Sequence, residues 1–123
     1  MDGHTNAERV SRYADRFAAI GAEARLRIVQ LLLKAHPDGL VAGDIQDQLG
    51  IPASTLSHHL EKLKNEDLVQ VRREATFLRY TANTETLREM LGFLYDECCT
   101  GTAGSPALFS IGPAAKQTRR RGR

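Results

Sequence analysis

The sequence has no tryptophan and only two cysteines, which are adjacent at positions 98 and 99. It also has no long apolar run: none approaches the roughly 18 residues of a membrane span, and residues 1–16 contain no uninterrupted apolar segment typical of a secretory signal. In a reducing cytoplasm, two cysteines are more typical of free thiols, metal ligands or redox groups than of a structural disulfide. We therefore expect a cytoplasmic protein without a membrane span.

Signatures of catalysis are missing as well. The chain has no glycine-rich phosphate loop, no nucleophile elbow and no plausible pair of carboxylates flanking a cleft. A hydrolase or transferase is therefore disfavoured, and we predict that the protein is not an enzyme.

Length and charge divide the chain into one domain and a tail. The 123 residues suit a single domain of ordinary size. Residues 101–123 are rich in Gly and Pro, contain five basic and no acidic side chains, and are predicted to be a disordered basic tail. Residues 1–100 carry 12 basic and 15 acidic side chains, a net charge of −3. A weakly acidic domain can still bind nucleic acid if its basic residues cluster on one face.

Apolar side chains recur at steps of three and four along the first half of the chain, which is the spacing of one helix face. This spacing predicts four successive helices, over residues 6–19, 22–35, 41–50 and 53–66. Gly50 is placed to end the third helix. In the second helix we expect a core stripe of Leu26, Val29, Leu32 and Leu33.

The period then changes to that of strands and back again. Residues 68–73 and 77–82 are short, roughly alternating and rich in β-forming residues, which predicts a hairpin. Residues 83–99 return to helical spacing, with Asn83 or Thr84 as the N-cap. The predicted fold is mainly α with a small β-hairpin, a winged helix-turn-helix in the order α-α-α-α-β-β-α.

The fourth helix has the pattern of a DNA-recognition helix. Its leucines at 56, 60 and 63 form a narrow apolar seam, and at about 100° per residue Ser54 and His58 point almost directly away from Leu56. Short hydroxyls and a histidine on an exposed helix suit phosphate and base-edge contacts in a major groove. The competing interpretation is an ordinary amphipathic helix whose polar face meets only water.

The hairpin favours DNA over that alternative. Three arginines lie close to its turn, where a wing could reach the backbone or the minor groove of DNA, although arginines on an isolated hairpin are commonly only solvated. Together with the preceding helix-turn-helix they predict a DNA-binding set of Ser54, Thr55, Ser57, His58, Lys62, Arg72, Arg73 and Arg79.

Two stretches, "ARLRIVQLLL" and "GDIQDQLGIPASTLSHHLEKLKNEDLV", together with the hairpin, resemble the ArsR/SmtB family of dimeric winged-helix repressors from about residue 8 to residue 100. The most specific part is the S-x-x-S-H-H-L-x-x-L pattern of residues 54–63. The resemblance implies that Ser54, Thr55, Ser57 and His58 face DNA and that His59 supports the helix from beside its seam. It also implies a homodimer through the first and last helices, both of which carry apolar stripes that could alternatively cap the core.

The sensor sites of that family can be compared with this sequence residue by residue. Three of these sites lack their ligands here. The third helix starts with "LVAGDI" and has no thiol. The last helix has no histidine for a zinc site, and the second helix has no cysteine to pair with one in the last helix. The adjacent Cys98 and Cys99 resemble the site of a group of arsenite repressors, although Ser105 stands about where their third cysteine would be. Trivalent arsenic binds thiolates and prefers three. Two cysteines supply only two of these ligands, and the third could be a thiol of the partner subunit, a small cytosolic thiol, or the carbon substituent that methylarsenite already carries. A weaker arsenite site or a changed specificity is then expected, with antimonite as a further candidate inducer.

Of the two thiols, Cys98 has a structural alternative and Cys99 does not. Cys98 continues the stripe of Leu87, Leu91 and Leu94 and could simply be a small core residue, whereas Cys99 lies about 100° from that stripe. We predict a repressor that requires no cofactor and releases operator DNA when a trivalent arsenical binds Cys98 and Cys99. The alternatives are a thiol redox-sensing repressor of the same fold and a winged-helix module that binds another protein.

Overall fold

The computed structural model describes the backbone of residues 6–99 and the side chains of residues 6–96. The predicted tail at 101–123 lies outside the described residues. The elements in chain order are α1 (Asn6–Ile20), α2 (Glu23–Lys34), β1 (Leu40–Val41), α3 (Ala42–Leu49), α4 (Ala53–Asn65), β2 (Val69–Glu74), β3 (Phe77–Ala82) and α5 (Thr84–Cys99).

This arrangement confirms the predicted fold class, a mainly helical winged helix-turn-helix, and adds one strand that the sequence pattern did not indicate. The hairpin of β2 and β3, hereafter the wing, is joined by β1 in an antiparallel sheet of order β1-β3-β2. In this sheet Leu40 pairs with Tyr80. A two-residue strand has no measurable period, and its partner lies far along the chain, so local spacing could not reveal it.

The turn between α3 and α4 is built around Gly50. This glycine adopts a left-handed conformation with φ 66°, and its N–H donates to the Gln46 carbonyl at 2.8 Å. A side chain at this φ would be strained, which is why glycine ends the helix here. The extended residue Pro52 then precedes the first turn of α4. Three residues, Gly50 to Pro52, therefore connect the two helices.

The core confirms the predicted seam of α4 and corrects the predicted stripe of α2. Leu56, Leu60 and Leu63 are all buried. In α2, however, Leu26 is 51% exposed and Leu33 is 41% exposed, and the buried residues are Ile28, Val29 and Leu32. Apolar residues cover most of the circumference of α2, so spacing alone does not select a face. Packing of α2 against α3, α4 and β3 selects it.

The described part of the chain divides into two units, one ending at Leu87 and the other beginning at Arg88, so that α5 begins in the first unit and ends in the second. In the first unit, the Asn83 side-chain oxygen accepts a hydrogen bond from the Thr86 N–H at 3.3 Å, so Asn83 caps α5. In the second, Leu91 and Leu94 are 52% and 56% exposed. Within the described residues, no helix is long and apolar enough to cross a membrane.

Candidate nucleic-acid interface

One face of α4 is polar and exposed, opposite its buried leucine seam. All five α4 side chains predicted to bind DNA lie on the surface. In the part of the chain that the structure describes, the side chains of four of them make no hydrogen bond or ion pair. These four are Ser54, Thr55, Ser57 and Lys62. The face therefore presents hydroxyl groups and an ammonium group whose hydrogen-bonding capacity is still available to a partner.

The two histidines of α4 have different surroundings. His58 is exposed, whereas His59 is half-buried, and their ring centroids lie 6.1 Å apart. Burial lowers the pKa of His59 below 6.5, and the positive charges of Arg25 and His58 lower it further. His59 is therefore a neutral support at the edge of the seam, and His58 is the histidine that faces solvent.

Arg25 of α2 makes the contact that holds His59. Its Nη1 lies 3.4 Å from His59 Nδ1, and its Nε donates to the Ala19 carbonyl in the last turn of α1. A guanidinium group can only donate, so Nδ1 of His59 acts as the acceptor and its proton is on Nε2. One arginine side chain thus joins three helices.

A second arginine, Arg16, joins α1 to Asp67, the second residue after the end of α4. The Arg16 side chain is 11% exposed, its Nη2 lies 3.4 Å from Asp67 Oδ2, and its guanidinium lies 5.7 Å from the Tyr13 ring centroid. Asp67 has φ 61°, and its N–H donates to the Lys64 carbonyl at 2.9 Å. Arg16 therefore pairs with the turn that closes the C-terminal end of α4.

The wing carries a small charge network on one face. Arg72 Nη2 donates to Glu74 Oε2 at 2.7 Å, and Arg79 Nε donates to Glu74 Oε1 at the same distance. Arg79 Nη1 also donates to the Gly39 carbonyl at 3.3 Å, which attaches the wing to the segment before β1. Hydrogen bonds from Arg79 first and Arg72 second hold the pKa of Glu74 below its ordinary value, and Glu74 raises the pKa of Arg79. With Asp38 these residues line an open polar cleft.

Arg73 lies on the other face of the wing. It pairs with Leu78, whereas Arg72 pairs with Arg79, and cross-strand partners share a face of the sheet. Arg73 is exposed and has no ion pair within the described residues. Of the three predicted wing arginines, Arg72 and Arg79 are therefore bound to Glu74, and Arg73 is available to a binding partner.

Sequence reasoning missed Glu74 and Arg25. Glu74 could have been found, because it stands two residues after Arg72 in a strand and so must share its face. Arg25 gave no such signal, since its partners are 6 and 34 residues away.

The backbone of Cys98 and Cys99 forms the last turn of α5, and their side chains lie outside the described residues. Ser105 also lies outside them. Among the described residues, no group of three or more His, Cys, Asp or Glu could hold a metal ion.

Known proteins similar to this chain are transcriptional regulators. A model described as a helix-turn-helix domain matches residues 20–72. The nodulation protein NolR of Rhizobium meliloti is 30% identical over 93 residues, covering 76% of this chain and 71% of NolR. The transcriptional repressor SdpR of Bacillus subtilis is 31% identical over 78 residues, covering 63% of this chain and 83% of SdpR.

Solved structures give the same picture of the fold. NolR from Sinorhizobium fredii superimposes with a TM-score of 0.61 at 28% identity, covering 84% of this chain and 100% of that one. An ArsR-like transcriptional regulator from Rhodococcus sp. RHA1 has a TM-score of 0.64 at 23% identity, covering 89% of this chain and 98% of that one.

Proposed function

The chain belongs to a family of helix-turn-helix transcriptional regulators, and from this membership we propose that it is a cytoplasmic, homodimeric repressor of the ArsR/SmtB type that binds operator DNA through α4 and the wing. The observation that carries the proposal is the exposed polar face of α4 with its available donors. A regulator of this family acts by binding DNA and not by catalysis.

The chemistry of α4 suits a major groove. Ser54, Thr55 and Ser57 lie in the N-terminal half of the helix, where short hydroxyls can contact phosphates or base edges. His58 presents a ring that can donate or accept at a base, and Lys62 supplies a positive charge for the backbone. On the wing, Arg73 is the guanidinium available for a phosphate or for the minor groove. Specificity therefore comes from the helix, and the wing adds affinity.

A dimer explains why apolar side chains remain at the surface of the terminal helices. Leu91 and Leu94 of α5 are each more than half exposed, and Val10 of α1 is 45% exposed. Two recognition helices that read half-sites about one helical turn of DNA apart also require two copies of the chain. A Leu94→Glu variant should therefore sediment as a monomer where the unaltered protein is a dimer, and its DNA affinity should fall with the loss of the second recognition helix.

The proposed inducer is a trivalent arsenical bound by Cys98 and Cys99. Adjacent thiols can both bond to one soft arsenic atom, and methylarsenite needs only two of them. Each thiol displaces one hydroxide from the arsenic atom, and the thiol proton leaves with that hydroxide as water, so capture does not require thiols of unusually low pKa. The bound arsenical would weaken operator binding, and by reciprocity operator DNA would weaken arsenical binding by the same factor.

The test begins with DNA selected from a random-sequence pool by the full-length protein. The complex with the selected site should weaken steeply as salt rises, whereas a protein-interaction module would show no such behaviour. Arsenite, methylarsenite, antimonite, cadmium and hydrogen peroxide are then titrated into the complex. We expect a trivalent arsenical to release DNA from the unaltered protein but not from a Cys98→Ser/Cys99→Ser double variant. If arsenicals also released DNA from the double variant, the assignment of Cys98 and Cys99 as the sensor would be contradicted. If peroxide alone released DNA from the unaltered protein and mass spectrometry detected a disulfide, the redox alternative would be established.

A further inference from the structure

Arg25 stands out because a polar side chain on α2 is used to join two other helices. Its guanidinium group is half-buried between the end of α1 and the middle of α4. By contrast, Arg27 on the same helix is exposed and pairs with Glu23, four residues away, at 2.7 Å. The two arginines thus allow a comparison between a bridging contact and an ordinary surface pair.

The α1 side of the bridge is a helix end. The last carbonyls of a helix have no partner inside it and must be satisfied from outside. The Gly21 N–H donates to the carbonyls of Phe17 and Ala18, and Arg25 Nε donates to that of Ala19, a residue only 2% exposed. Loss of the Arg25 side chain would leave this carbonyl without that donor, so the contact fixes the position of α1 relative to α2.

The α4 side of the bridge is His59, which lies between the buried seam and the exposed face. Ser57 and His58 immediately precede His59 in the helix. Any rotation of α4 that moved His59 away from Arg25 would therefore also turn His58 and Ser57. The Arg16–Asp67 pair fixes the C-terminal end of the same helix to α1. Helix α4 is therefore tied to α1 at two points, one near its middle and one just beyond its end.

We propose that Arg25 is a positioning residue for DNA recognition: by bonding Ala19 of α1 and His59 of α4 together, it sets the rotation of α4 that presents the helix to base edges. This inference rests on the proposed binding of DNA through α4. Through the Arg25 side chain, the end of α1 is connected to the recognition helix.

The contact requires a neutral His59. The charged and titratable groups that act on the His59 ring are Arg25 from α2 and His58 from α4, and both oppose its protonation. A protonated ring would lose its acceptor nitrogen and face a guanidinium of the same charge. Acidification should therefore reduce sequence discrimination, even though added positive charge alone would strengthen binding to any DNA.

The experiment compares the full-length unaltered protein with Arg25→Gln, Arg25→Lys and the control Arg27→Gln. Binding to the selected site and to a scrambled duplex is measured across a range of salt and at pH 7.5 and 6.0. In Arg25→Gln the ratio of the two affinities should fall about tenfold, the size of one mismatched base pair. The salt slope should stay near that of the unaltered protein, because no phosphate contact is lost. Arg27→Gln removes the same charge and should keep the ratio.

Arg25→Lys should not restore the ratio, because a single ammonium lacks the planar fork that reaches both partners. His59→Leu removes the acceptor and leaves Arg25 in place, so it provides a second test if Arg25→Gln proves unstable in thermal unfolding. It should lower the ratio and reduce the dependence of that ratio on pH.

An unchanged ratio in folded Arg25→Gln, or in His59→Leu, would overturn the inference while leaving DNA binding itself intact. If the unaltered protein showed no salt-sensitive DNA binding, the proposed function would fail first, and the positioning role with it.

Discussion

Arg72 and Arg79 are directly opposite each other on the wing, and Glu74 binds both of their guanidinium groups. Like charges on cross-strand partners destabilise a hairpin. The carboxylate of Glu74 bonds to both groups and offsets this repulsion. Glu74 therefore determines how many of the wing's cations are available to DNA.

Replacement of Glu74 by Gln should strengthen binding to any DNA and make it more sensitive to salt. The two arginines would lose their carboxylate partner and become available to phosphates, and the salt slope should steepen by about 0.9 for each one that gains a phosphate. Fluorescence anisotropy with a scrambled duplex at several salt concentrations measures both quantities. Glu23→Gln, which also removes an exposed, arginine-paired carboxylate, is the matched control. Equal effects from the two variants would mean that only net charge matters.

Lys62 and Ser57 should contribute to DNA binding in different ways, although both lie on the exposed face of α4. Lys62→Ala should weaken binding to all sequences alike and reduce the salt slope by about 0.9, as expected for one lost phosphate contact. Ser57→Ala should keep the slope and change which bases are preferred. Parallel selection from a random-sequence pool with both variants checks this distinction. A changed preference in Lys62→Ala with an unchanged slope would reverse the two assignments.

The features of this fold that sequence predicts are those set by local spacing. The seam at Leu56, Leu60 and Leu63 follows from one apolar residue per turn, and the end of α3 follows from a glycine that tolerates positive φ. The exposed face of α4 then follows from the position of the seam. The candidate DNA-binding residues of this helix can therefore be placed from the helical period alone.

The features that sequence does not predict depend on partners far along the chain. Strand β1 exists because Leu40 meets Tyr80, and Arg25 acquires its importance from a carbonyl on α1 and a ring on α4. In α2 the failure is different, since apolar residues surround the helix and only tertiary packing decides that Ile28 is inside and Leu26 outside. Local periodicity carries no information about such choices.

Two neighbouring leucines of α2 should contribute unequally to the free energy of unfolding, because only one of them lies on the buried face of the helix. Leu32 is 0% exposed and Leu33 is 41% exposed. Leu32→Ala should lower the free energy of unfolding by about 2–5 kcal/mol through lost burial and a residual cavity. Leu33→Ala should lower it by less than about 1 kcal/mol, because much of its surface is already in water. Urea denaturation of both variants at equal protein concentration measures the difference, and similar losses would mean that both leucines belong to the core.

His59 should make stability depend on pH, with the sign fixed by its lowered pKa. The unfolded chain has an ordinary histidine of pKa 6.5 at this position, whereas the folded chain takes up the proton only at a lower pH. Below pH 6.5 the unfolded state therefore binds more protons than the folded state, and the free energy of unfolding falls as pH decreases. The stabilisation is fully present above pH 6.5 and is lost as pH falls through the folded-state pKa. Urea unfolding between pH 7.5 and 5.5 should show this loss in the unaltered protein.

The His59→Gln variant separates this effect from the titration of other groups. Glutamine keeps an acceptor for Arg25 but does not titrate, so the variant should show a flatter dependence of stability on pH over the same range. His36→Gln removes an exposed histidine from the segment between α2 and β1 and should keep the full dependence. If His36→Gln instead flattened the profile and His59→Gln did not, the half-buried ring beside Arg25 would not be the group that responds to pH.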